Sequence, residues 1–117
     1  MKKQDFTLPE WAFLDAHNHL GDPLKGRDVL MHVRTNTVME FFNTDDINVE
    51  LNKVVDFRNF TYKNGYGLIE SYIVAVHYSL VEWGELAEVI DKAITFFCQW
   101  MYWMDKGIEQ EDTSKHN

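Results

Sequence analysis

Chemistry in a short chain needs side chains that can move a proton, hold an ion or attack a carbon. This sequence offers five histidines, one cysteine and 19 carboxylates for such work. His17 and His19 stand one residue apart in the string Leu14-Asp15-Ala16-His17-Asn18-His19-Leu20-Gly21. At the end of a strand two imidazoles so spaced project the same way and can share a metal ion. On a helix they diverge by about 200° and cannot. His32 and His77 fall in β-rich stretches, where either could join His17 or Glu70 in an acid–base or metal site. Cys98 sits between Phe97 and Gln99 in apolar company, where a thiol without a basic partner behaves as a small hydrophobe. Asp45, Asp46 and Glu50 lack the spacing and the glycine of a calcium loop and form a solvated acidic turn. There is no phosphate loop and no cysteine pair of zinc spacing. No catalytic residue and no cofactor is therefore assigned, and His17 and His19 are the only metal candidates.

Over its eight residues the string from Leu14 to Gly21 resembles the His-x-His motif that follows the first barrel strand in amidohydrolase-type metal hydrolases. The resemblance implies a metal-dependent hydrolase with His17 and His19 as ligands. A (β/α)8 barrel takes about 200 residues or more. A chain of 117 cannot supply the rest of that family's pattern.

The elements that would position these groups follow from spacing. Thr7 and Glu10 have the form of a capping box with Pro9 in the first turn, and Phe13, Ala16, His17 and Leu20 recur at helical intervals. Gly21 and Asp22-Pro23 then stop the chain, which predicts a helix over Leu8 to Leu20. That helix separates His17 from His19. From Asp28 to Phe42 the apolar and Thr positions alternate, which favours extended structure broken into two strands near Asn36, and a helix stripe through Leu30, Val33, Thr37 and Phe41 is the alternative. Asn64-Gly65 joins two runs rich in Val, Ile, Tyr and Phe, the pattern of a β-hairpin with a two-residue turn. Such a turn places Phe60 opposite Ile69, Phe57 opposite Tyr72 and Val55 opposite Val74.

Ser79 and Glu82 form a second capping box, which predicts a helix from there to about Asp105, closed by Gly107. Trp83, Leu86, Ile90, Phe97, Met101 and Met104 make its apolar stripe, and Glu82, Glu85, Glu88 and Asp91 lie opposite. After Lys92 the polar face nearly vanishes. Phe96, Phe97, Cys98, Trp100, Met101, Tyr102, Trp103 and Met104 surround the axis, and a helix apolar all round must be covered all round. A sheet covers one side. The helix from Leu8 to Leu20 or a second molecule must cover another, so Phe96, Trp100, Met101, Trp103 and Met104 are the candidate interface.

Composition bounds the rest. The aromatic share of 15% favours a packed globule. The net charge of −8 repels phosphate backbones, so nucleic-acid binding is not expected. No apolar run is long enough to span a bilayer, and none follows Lys2-Lys3 as a secretory leader requires. With its one cysteine, the chain is expected to be cytoplasmic.

The expectation is a single α+β domain over residues 1–107 with a disordered polar tail over 108–117. It comprises an N-terminal helix, an antiparallel sheet of three to five strands centred on the Asn64-Gly65 hairpin, and a long C-terminal helix on one face. The function expected is that of a non-enzymatic binding or accessory protein acting through protein contacts, with homodimerisation through the last helix. The two alternatives are a metal-dependent hydrolase using His17 and His19, and an acidic inhibitor or immunity-type protein that binds a basic partner.

Overall fold

The computed structural model describes residues 7–17, 20–24, 27–46 and 50–115, with side chains as far as residue 106. Five strands and one helix follow in the order β1 (Trp11–Leu14), β2 (Asp28–His32), β3 (Thr37–Asn43), β4 (Asp56–Lys63), β5 (Ile69–Tyr78) and α1 (Trp83–Lys115). The strands make one sheet of order β1-β2-β3-β5-β4, with every neighbouring pair antiparallel. This is the α+β architecture expected, with the long helix across one face. Among the described residues no helix is long and apolar enough to cross a membrane.

The predicted helix over Leu8 to Leu20 is absent. Its apolar centre is strand β1, with Trp11 opposite His32 and Leu14 opposite Val29. Trp11, Ala12, Phe13 and Leu14 satisfy a period of 2 as well as one of 3.6, and a waiting edge on β2 decides between them. Glu10 does not cap a helix. Its carbonyl accepts the Val33 amide at 2.9 Å, which ties the start of β1 to the β2–β3 turn. Gly21 does adopt positive φ, +88°, but between His17 and Pro23, which face each other in an isolated bridge.

The Asp28–Phe42 segment is two strands, as expected, and they turn at Val33–Asn36 with Asn36 left-handed at φ 54°. β3 is the middle strand of the sheet. The β4–β5 hairpin therefore forms one edge and not the centre, because the connection from β3 passes β5 before β4 begins.

The hairpin loop is longer than two residues. Lys63 pairs with Ile69, so Phe60 faces Tyr72 and Phe57 faces Ala75, three residues away from the register expected. Positive φ falls on Gly67, at +82°, and on neither Asn64 nor Gly65. The Asn64 carboxamide oxygen accepts the amides of Tyr66 (2.9 Å) and Leu68 (3.0 Å), so asparagine side-chain chemistry builds the loop.

Helix α1 starts at Trp83, with the Leu86 amide on the Glu82 carbonyl at 2.9 Å. Ser79 is drawn to Thr37 instead of capping it. The helix also runs past Gly107 to Lys115, where a stop was expected; side chains beyond residue 106 lie outside the described residues. Leu86, Val89, Ile90, Ala93 and Phe97 are its buried stripe, whereas Trp83 is 70% exposed. They pack on Leu30, Met39, Phe41, Tyr62, Tyr72, Val74 and Val76 of the sheet. Phe97 is the centre of this core, stacked on Phe41 at 4.2 Å between ring centroids and edge-on to Phe60 and Tyr72. At ~1.5 Å per residue the 33-residue helix is ~50 Å long. The longest strand, of 10 residues, spans ~33 Å, so the helix outruns the sheet beneath it.

Candidate functional site

The bulky half of α1 divides into two sides. Toward β1, Phe96 stacks on Trp11 at 5.3 Å and lies 6.1 Å from Phe13, and Trp100 meets Phe13 at 4.6 Å. Phe96, Trp100 and Met101 are thereby partly buried against the core. A strand supplies the cover that sequence reasoning sought from a helix. Further along the helix Trp103 stays 78% exposed, with Met104 and Tyr102 about half exposed. Of the five candidate interface residues, Trp103 and Met104 are therefore the two left open.

Tyr102 and Trp103 border a groove toward β4. Thr61, Tyr62 and Lys63 on the strand and Cys98, Gln99, Tyr102 and Trp103 on the helix line this groove of about 590 Å³. Asp105 ties the helix to the hairpin, its carboxylate accepting the Tyr62 hydroxyl at 2.7 Å and the Gly65 amide at 3.1 Å. Burial, followed by the hydrogen bond to Asp105, pushes the Tyr62 hydroxyl well above its ordinary pKa. Gly65 serves this contact through its size. A Cβ there would stand 3.0 Å from the Cβ of Asp105. Burial also raises the Cys98 thiol, which disfavours the thiolate a nucleophile needs.

The histidines go to separate places. His32 is almost fully buried against the Trp11 ring, with Nδ1 2.7 Å from Thr35 Oγ1 and Nε2 3.4 Å from the Glu10 carboxylate. From Thr35 a hydroxyl chain continues to Thr37 (2.8 Å) and Ser79 (2.8 Å), and it bolts the β2–β3 turn to the end of β5. His77 is the extra residue of a β-bulge, since Val38 pairs with Tyr78 and Met39 with Val76. The bulge sets its Nε2 3.0 Å from the buried Glu40 carboxylate on the sheet face away from α1. Arg27 grips the same carboxylate with two nitrogens.

Burial alone would raise the Glu40 carboxyl, but the hydrogen bonds and charges of His77 and Arg27 outweigh it and hold it below the usual carboxylate range. Asp28 is pushed up by burial and by the Glu40 charge. Neither His32 nor His77 meets His17 or Glu70 in these contacts. The one sequence signal for this cluster was Glu40 itself, a carboxylate within the otherwise apolar Val38–Phe42 run.

His17 sits in the bridge to Pro23, and His19 lies outside the described residues. Among the described residues no three His, Cys, Asp or Glu side chains converge in a way that could hold a metal ion. Glu50 pairs with Lys53 and Asp45 is exposed in a short turn; residues 47–49 between them lie outside the described residues.

No protein-family model, curated protein or solved structure matches the chain. Its own geometry therefore carries the functional reading.

Proposed function

We propose that this chain is a non-enzymatic binding protein that works through protein–protein contacts, foremost self-association through the open side of α1. One observation carries the reading. In the aromatic half of the helix, Phe96, Phe97 and Trp100 have partners within the fold, whereas Trp103 is 78% exposed with Tyr102 and Met104 beside it. Trp and Tyr concentrate binding energy at interface centres, and Met is enriched there.

The test is sedimentation velocity over a concentration series with the wild-type chain and Trp103→Ala. The wild-type chain is expected to form a dimer as concentration rises, and the variant to need at least tenfold more protein. A wild-type chain that stays monomeric throughout contradicts the reading. Salt separates it from the inhibitor-type alternative. Two copies of an acidic chain repel, so salt strengthens their association, whereas an acidic surface binding a basic partner is weakened by salt.

A further inference from the structure

The groove beside Trp103 has the free edge of the sheet as its floor, and the chemistry of that edge narrows what fits. β4 is an eight-residue outer strand without proline, and among the described residues no strand pairs with its far side. The opposite edge, β1, has four residues. Long unprotected edges are templates for further strand pairing.

The direction of the main-chain groups follows from the hairpin. The Asn64 amide donates to the Leu68 carbonyl at 2.8 Å, one step beyond the Lys63–Ile69 pair. Hydrogen-bonded pairs recur at every second residue of an antiparallel ladder. Tyr62, Phe60 and Arg58 therefore address β5, and Phe57, Asn59, Thr61 and Lys63 present their N–H and C=O groups outward, with the Phe57 amide held by the Asp56 carboxylate at 2.9 Å, a bond that edge pairing would exchange.

We propose that β4 pairs antiparallel with β4 of a second copy of this chain about a two-fold axis at Phe60, making one ten-stranded sheet with both helices on the same face. The proposal rests on the interaction role above and names its partner and geometry. Three features select a second copy. First, about this axis Phe57 pairs with Lys63 of the second copy and Asn59 with its Thr61, so all four outward residues of each strand are used. That amounts to about eight main-chain hydrogen bonds. A shift of two residues either way leaves one outward residue of each strand unpaired.

Second, the strand begins with Asp56 and ends with Lys63. In this register Lys63 stands opposite Phe57 and Arg58 opposite Tyr62 of the second copy, so no like charges stand directly opposite. Third, Phe60 faces Phe60 of the second copy, and Arg58 of that copy lies opposite Tyr62, beneath the exposed Tyr102 and Trp103 that wall the groove. The incoming strand covers the aromatic side that the fold leaves open.

The register prescribes its own test by sedimentation equilibrium. Asn59→Asp with Thr61→Asp sets like charges opposite across the seam and is expected to raise the dimer dissociation constant at least tenfold. Asn59→Lys with Thr61→Asp sets opposite charges there and is expected to restore it. Both positions are exposed, so thermal melts should show both variants folded. Thr61→Pro, which removes an outward N–H, should behave as the double aspartate does. If the charge pairs and the proline leave the dimer unchanged while Trp103→Ala abolishes it, the edge pairing is overturned and the helix-surface reading stands. If the wild-type chain never dimerises, both fall.

Discussion

The two edges of this sheet meet the same helix differently. At β1 the contact is aromatic, with Trp11 and Phe13 against Phe96 and Trp100, which leaves Phe13 43% exposed and the other three partly buried. At β4 the contact is aromatic in the core, where Phe60 meets Phe97 edge-on and Tyr62 is buried, and turns polar at its margin, with the Tyr62–Asp105 hydrogen bond, the exposed Arg58–Asp91 ion pair and a groove between the elements. The first edge is short and partly covered by side chains, while the second is twice as long and bordered by the exposed Tyr102 and Trp103. A helix that is apolar all round can therefore be half satisfied by its own chain and half left for another.

Substitutions can break or sharpen this contrast. The largest effect is expected from Phe97→Ala, which empties the ring stack under both sides and should cost about 4 kcal/mol in a denaturant melt. Trp11→Ala strips the sealed edge and should cost about 2 kcal/mol, since Trp11 is only partly buried. Tyr62→Phe loosens the polar edge by about 1 kcal/mol.

Tyr62→Phe also carries a pH signature. The folded pKa of Tyr62 lies above the unfolded value, so its contribution to stability is full below about pH 10 and is lost as pH rises beyond that. The variant should lose less stability on the alkaline side than the wild-type chain, as followed by melts at successive pH values. The smallest effect belongs to Trp103→Ala, expected within about 0.5 kcal/mol for the monomer because the side chain is exposed. Equal losses at Trp11 and Trp103 would erase the distinction between the edges.

Much of this fold is visible in the sequence where local chemistry has one solution. The break at Asn36 shows in a left-handed-tolerant residue between alternating runs, and the buried stripe of α1 shows in its three-four spacing. What local pattern does not decide is settled by a distant partner. Residues Trp11–Leu14 fit two periods, and pairing with β2 selects the strand. Ser79 has the composition of a cap, but Thr37, 42 residues away, takes its hydroxyl. In the hairpin, Asn-Gly announces a turn, yet its register depends on five loop residues held by Asn64 and Asp105.

The candidate surface was legible in part. The aromatic half-helix was visible as such, but its division into a sealed and an open side depends on where β1 and β4 lie. The Arg27–Glu40–His77 cluster was hidden, because a bulge aims His77 and bulges leave no fixed sequence mark.

Amide hydrogen exchange at low and high protein concentration tests the contrast between the edges most directly. The amides of Asn59, Thr61 and Lys63 should exchange quickly in dilute solution and gain protection as concentration rises, while those of β1 stay unchanged. If the β4 amides exchange alike at both concentrations, or β1 gains protection in step with them, the open edge is not the surface this protein uses.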